Sequence, residues 1–139
     1  RRTLYLASSD LSHRLTRGAP AGYDPRGAEF DRAVADTFAA GDWEGLLNID
    51  AGTVEAAGEC GYRSLAVLSG VVEALRGAGM RTQNRLLSYE GPFGVGYLVG
   101  EVEMGPGEGP GPGESPAPDE GPASGEGITG GGRRTEARQ

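Results

Sequence analysis

The sequence predicts an α/β domain over residues 1–104, with a mixed sheet and helices packed on it, followed by a Gly/Pro-rich tail over residues 105–139. Three observations support this fold class. The apolar run Leu4–Ala7 is typical of a short buried strand. The middle of the chain shows helical periodicity. Two strand-like segments, residues 85–89 and 95–102, then follow with turn residues between them, and we expect them to form an antiparallel hairpin.

Apolar residues recur at helical spacing in two segments of the chain. They are Phe30, Val34 and Phe38 in the first, and Leu65, Leu68, Val72 and Leu75 in the second. The spacing predicts amphipathic helices over residues 29–40 and 60–75. Asp42 and Asp50 are placed to cap two short helices between them. We expect Trp43 in the core, together with Phe38.

Glycine and proline are concentrated in the tail. The chain contains 26 Gly and 9 Pro, and 11 of these Gly and 6 of these Pro lie between Gly105 and Gln139. That segment has no aromatic residue, and Ile128 is its only large aliphatic one. Such a composition buries too little apolar surface to offset the entropy of ordering the chain. The tail is therefore predicted to be disordered, or a linker to a further domain.

Composition excludes several classes of protein. A net charge of −7, from 13 basic and 20 acidic residues, argues against a nucleic-acid partner. No apolar run reaches the ~18–20 residues of a membrane span, so no membrane partner is expected. The lone Cys60 provides no disulfide framework, and no secretory signal is visible, which together favour the cytoplasm. Because the chain begins without Met and leads at once into a strand-like run, we expect it to be truncated at its N-terminus.

His13 is the only histidine, and it lies three residues after Asp10, just past the predicted strand. Ligands and catalytic groups gather at the carboxyl ends of strands in α/β sheets. A carboxylate at this spacing can orient an imidazole for general acid/base catalysis. The alternative is that Asp10 caps a helical turn beginning at Leu11, with His13 an ordinary, partly exposed side chain.

Glu59 and Cys60 lie at the start of the long predicted helix. Either could bind a metal, since carboxylate and imidazole suit non-haem Fe(II) and a thiolate is also possible. The alternatives are that Glu59 caps the helix and that Cys60 is a small buried hydrophobe.

Tyr89 and Phe93 lie in a Gly-rich segment between the last two predicted strands. Two aromatic rings there could line a substrate-binding pocket. The alternative is a hairpin whose glycines serve only the turn.

Four sequence blocks, in order, resemble the C-terminal half of the class III extradiol ring-cleavage dioxygenase family. The blocks are residues 8–15, 41–47, 59–65 and 87–97. They are most similar to the Memo-like branch found in AmmeMemoRadiSam system proteins.

The resemblance implies an α/β domain with one Fe(II), which cleaves a catechol ring next to its hydroxyls using O2. In that family two histidines from the N-terminal half and one ligand from the C-terminal half bind the metal. The resemblance puts a separate acid/base histidine at His13, with Asp10 beside it. It puts the C-terminal ligand at Glu59 or Cys60, because ring-cleaving members use a carboxylate there and Memo-like members a thiolate. The choice between the two stays open.

The family's two histidine ligands have no counterpart here, since His13 is the only histidine. We therefore expect the chain to bind Fe(II) weakly and to be inactive without the N-terminal half of the domain as its partner. The function predicted is that of a fragment of an Fe(II)-dependent extradiol dioxygenase, an oxidoreductase of aromatic compound metabolism. The alternatives are a Memo-like metal-binding accessory or interaction module without ring cleavage, and a domain that binds no metal. A second domain after the tail is a further possible partner.

Overall fold

The computed structural model describes residues 3–107, so the tail from residue 108 onward lies outside the described residues. The elements are α1 Pro25–Ala40, α2 Trp43–Leu47, α3 Ala51–Ala57, α4 Tyr62–Gly77, β1 Met80–Glu90 and β2 Tyr97–Pro106, with a single 3-10 turn at Pro92–Gly94. Helices together with a two-stranded antiparallel sheet confirm the α/β class. No helix within the described residues is long and apolar enough to cross a membrane.

Helix α1 begins four residues earlier than the apolar spacing predicts. The side chain of Asp24 accepts a hydrogen bond from the backbone N–H of Arg26, and Pro25 occupies the first helical position. Proline is well suited to that position because its missing N–H would have no partner within the helix. The helix ends at Gly41, whose φ of 67° is in the left-handed region that favours glycine.

The two predicted aspartate caps are confirmed. Asp42 accepts a hydrogen bond of 2.8 Å from the N–H of Gly45, at the start of α2. Asp50 accepts one of 2.8 Å from the N–H of Thr53, at the start of α3. Each bond satisfies an amide that has no partner inside its helix.

The core lies between the helices and the sheet. Its buried residues are Leu11, Phe30, Val34, Phe38, Trp43, Leu46, Ala57, Leu65 and Val72. Phe38 and Trp43 meet edge to face, with ring centroids 5.7 Å apart, as expected for core aromatics. Helices α1 and α4 both pack against β1, so the two long amphipathic helices join the sheet through this strand.

Strands β1 and β2 form the predicted hairpin and are longer than the apolar pattern indicates. The pairing runs from Glu90 opposite Tyr97 to Met80 opposite Pro106. Arg85 lies opposite Glu101 and forms an ion pair with it at 2.8 Å. Since β2 continues to Pro106, the first residues assigned to the tail belong to the sheet.

The prediction of a buried strand at Leu4–Ala7 is wrong for the described structure. This segment has no regular secondary structure, and Leu4 and Leu6 are 88% and 77% exposed. Residues 3–9 make no backbone–backbone hydrogen bond within the described part of the chain. An apolar run becomes a strand only when a neighbouring strand pairs with it, and none does so here.

Candidate metal and acid/base site

The structure brings Asp10, His13 and Cys60 together, although Cys60 is 50 residues from Asp10 in the chain. One potential ligand atom from each lies within 4.8 Å of those of the other two. Nε2 of His13 is 3.4 Å from Oδ2 of Asp10. The backbone N–H of Asp10 donates to Sγ of Cys60 at 3.4 Å, so the thiol is fixed beside the loop. All three side chains are reachable from solvent, with His13 26% and Asp10 41% exposed.

Glu59, the other candidate ligand, is engaged elsewhere. Its Oε2 accepts a hydrogen bond of 2.6 Å from the backbone N–H of Tyr62, the first residue of α4. The negative charge also suits the positive end of the helix dipole. Glu59 therefore caps α4, while the next residue, Cys60, faces Asp10 and His13.

The loop that carries His13 is held on several sides by backbone hydrogen bonds. The N–H of His13 donates to the carbonyl of Ala57, at the end of α3, at 3.1 Å. On the other side, the N–H groups of Leu11 and Leu15 donate to the carbonyls of Gly96 and Gly94, at 2.8 and 3.1 Å. The position of the imidazole is thus set by α3 and by the segment that leads into β2.

A buried carboxylate lies behind this loop. Asp31, on α1, is 1% exposed, and its Oδ1 accepts a hydrogen bond of 2.8 Å from the N–H of Ser12. Its Oδ2 accepts one of 2.7 Å from the hydroxyl of Tyr89. Burial raises the pKa of Asp31 above its ordinary value, and these two hydrogen bonds and the nearby His13 oppose the rise.

The two aromatic residues predicted to bind substrate, Tyr89 and Phe93, have different surroundings. Phe93 is 91% exposed and has a φ of 58°, an uncommon backbone conformation for a residue with a side chain. The hydroxyl of Tyr89 donates its hydrogen bond to Asp31. Burial, and after it this hydrogen bond, raises the pKa of Tyr89 well above its ordinary value.

Asp31 was not predicted from the sequence, although a signal for it was present. Asp31 lies three residues before Val34 and seven before Phe38, which places it on the buried face of an amphipathic helix. A carboxylate on that face requires hydrogen-bond partners in the interior. The pattern alone could not say that Ser12 and Tyr89 supply them.

An apolar groove of about 420 Å³ lies next to the loop. It is lined on one side by residues 3–7 and on the other by the part of β2 from Leu98 to Met104, with Phe38, Leu65 and Leu68 also contributing. Leu4 and Leu6 belong to the lining and are exposed, so the groove presents unpartnered apolar surface.

The residues of the cluster fit part of the ligand set of a metal ion. Carboxylate, imidazole and thiolate are all ligands of divalent first-row transition metals. Donors within 4.8 Å of one another can reach a common ion. The set is not the two-histidine-one-carboxylate triad of non-haem iron enzymes, since the sequence has one histidine.

Comparison with known proteins identifies the family of the chain. The family described as the catalytic LigB subunit of aromatic ring-opening dioxygenase matches residues 1–100. Protein CA_C1420 of Clostridium acetobutylicum is 47% identical over 100 residues, which are 72% of this chain and 20% of that protein. The chain thus spans about a fifth of the length of this curated relative. The family match covers the loop that carries His13, the adjacent residues Glu59 and Cys60, and nearly all of the described fold, and the chain belongs to the family of the LigB catalytic subunit of aromatic ring-opening dioxygenases.

Proposed function

We propose that this chain supplies an acid/base histidine, His13, and a thiolate ligand, Cys60, to a metal centre of the class III extradiol dioxygenase type. The observation that carries the proposal is the convergence of Asp10, His13 and Cys60 within 4.8 Å. Residues 50 positions apart meet there, on a loop and just before a helix, at the positions where the resemblance to the extradiol family implies an acid/base group and one metal ligand.

The neighbouring residues favour Cys60 over Glu59 as the ligand. Glu59 binds the N–H of Tyr62 at 2.6 Å and is not among the residues whose ligand atoms converge, so its carboxylate would have to move to share a metal with His13. Cys60 needs no such rearrangement, because its sulfur already lies beside Asp10. A thiolate at this position supports assignment to the Memo-like branch, and with it a metal-binding accessory module.

Ring cleavage is the second candidate function, and membership of the ring-opening dioxygenase family favours it. A bound ferrous ion would supply the site at which a catechol-type substrate and O2 meet. The role of His13 is to take the proton of a catechol hydroxyl and return it to the product. Asp10, 3.4 Å from Nε2, stabilises the imidazole while it carries that proton.

The remaining ligands have to come from outside this chain. We propose that the apolar groove beside residues 3–7 receives the other half of the domain, which carries those ligands. The exposure of Leu4 and Leu6 supports this, because such surface is stabilised when another part of a fold covers it. The relative from Clostridium acetobutylicum is about five times as long as the matched region, which is room enough for that half.

The two functions are distinguished by loading the longer protein that contains this chain with Fe(II) under anaerobic conditions. Oxygen uptake is then measured with a panel of catechols. Uptake that falls at least ~100-fold in His13→Ala, with the bound iron unchanged, supports ring cleavage with His13 as acid/base. Iron binding without uptake on any catechol supports the accessory module. Failure to bind iron at all would contradict both.

A further inference from the structure

Asp31 is a buried carboxylate that neither caps a helix nor belongs to the metal cluster. Burying a carboxylate is costly unless hydrogen bonds compensate, and burial raises the pKa of Asp31. Both oxygens have a partner: Ser12 for Oδ1 at 2.8 Å and Tyr89 for Oδ2 at 2.7 Å. A buried carboxylate whose two oxygens are both hydrogen-bonded holds the groups that donate to it in fixed positions.

Asp31 holds the backbone N–H of Ser12, the residue directly before His13. Ser12 is fully buried, and its polar groups are engaged on several sides. Its hydroxyl donates to the carbonyl of Ala57 at 3.0 Å, and its own carbonyl accepts from the N–H of Gly96 at 2.8 Å. The bond from its N–H to Asp31 ties this loop to the side of α1, in addition to the bond from the N–H of Asp24 to the carbonyl of Arg14 at the start of that helix.

The geometry points to Asp31 as a positioning residue for His13, oriented in turn by the hydroxyl of Tyr89. The inference rests on the proposed role of His13 and extends it, because it adds a buried carboxylate on α1 to the contacts that hold the imidazole beside Cys60. Asp31 acts through the backbone of Ser12 and touches neither a metal nor a substrate. The hydroxyl of Tyr89 serves the buried carboxylate by donating a hydrogen bond to it.

The glycine opposite Asp31 supports this assignment. A Cβ at Gly96 would collide with Oδ2 of Asp31. The backbone at Gly96 also accepts from Leu11 and donates to Ser12, both at 2.8 Å. Because Gly96 has no side chain, the backbone that leads into β2 can approach both the carboxylate of Asp31 and the loop that carries His13.

The test uses the full 139-residue chain without metal or catechol, and NMR spectroscopy. Because His13 is the only histidine and Cys60 the only cysteine, a cross-peak between the imidazole and the Cys60 β-protons is unambiguous. Asp31→Asn keeps an acceptor for Ser12 and can still pair with Tyr89. Asp31→Leu has similar volume and no acceptor. Tyr89→Phe removes only the hydroxyl, and Asp36→Asn, on the exposed side of α1, is the control for loss of one charge.

We expect Asp31→Asn and Asp36→Asn to keep the cross-peak, and a folded Asp31→Leu to lose it. In Tyr89→Phe the Ser12 amide should exchange with solvent about tenfold faster, since one hydrogen bond to a charged group is lost. A folded Asp31→Leu chain that keeps the cross-peak would overturn the inference. If Asp31→Leu does not fold, the test rests on Tyr89→Phe. In that variant an unchanged exchange rate of the Ser12 amide would overturn the inference. Metal binding and turnover play no part in these measurements, so failure of the proposed function would be seen separately.

Discussion

The hydroxyl of Tyr89 donates a hydrogen bond of 2.7 Å to Oδ2 of Asp31, linking β1 to α1 behind the loop that carries His13. The other oxygen of the carboxylate accepts from the N–H of Ser12 at 2.8 Å. One buried carboxylate thus joins a strand, a helix and the loop that carries His13. Its ionisation and its packing both have measurable consequences.

Stability should depend on pH through Asp31. Its pKa in the folded chain is raised above the ordinary value of 3.8, with burial as the largest cause. Its contribution to stability is therefore greatest below about pH 3.8 and is lost as pH rises through the folded-state pKa. Asp31→Asn has no such loss, so its free energy of unfolding relative to the unsubstituted chain should increase as pH rises from about 4. Urea unfolding at a series of pH values measures this difference, and a constant or falling difference would contradict the assignment.

Gly96→Ala should destabilise the chain by about 1–3 kcal/mol, because the added Cβ meets the buried carboxylate of Asp31 and the structure must shift to admit it. Gly70→Ala is the matched control. A Cβ at Gly70 meets nothing within 4 Å, and the residue lies inside α4, so we expect a gain of about 0.5–1 kcal/mol. Urea unfolding of both variants gives the comparison. Equal effects at the two sites would show that the space beside Asp31 is not restricted.

Leu6→Ser should change the free energy of unfolding of this chain by less than about 0.5 kcal/mol, since the side chain is 77% exposed. Leu46→Ala, at a fully buried position, should cost about 2–5 kcal/mol. If the groove receives the rest of the domain, Leu6→Ser should also weaken binding of that half when the two are mixed. A large loss of stability in the isolated chain would mean that residues 3–7 are already packed.

The helices were predictable because their evidence is local. The spacing of Phe30, Val34 and Phe38 defines the buried face of α1, and the two aspartate caps satisfy amides three residues away. The start of α1 was missed because Asp24 and Pro25 lie among loop-like residues that hide a cap. Local patterns are sufficient where the partners are close in sequence.

The state of the first apolar run, the choice of metal ligand and the role of Asp31 depend on contacts that one sequence does not reveal. The strand predicted at Leu4–Ala7 needs a neighbour to pair with, and no apolar pattern states whether one is present. Glu59 and Cys60 are adjacent, and what distinguishes them is the bond from Tyr62 to Glu59 and the bond from Asp10 to Cys60, neither of which the sequence shows. Asp31 reaches its partner Tyr89 across 58 residues, which no spacing rule covers.

The central claim, that Cys60 and not Glu59 is the ligand beside His13, is tested most directly by titrating the chain with Co(II), a spectroscopic substitute for Fe(II), and measuring thiolate-to-cobalt charge-transfer absorption. Cys60→Ser is compared with Glu59→Gln, which keeps an acceptor for the N–H of Tyr62. We expect the band in the unsubstituted chain and in Glu59→Gln. In Cys60→Ser the band should be absent, and the affinity at least ~10-fold weaker. Unchanged affinity in Cys60→Ser, together with lost binding in Glu59→Gln, would contradict the claim.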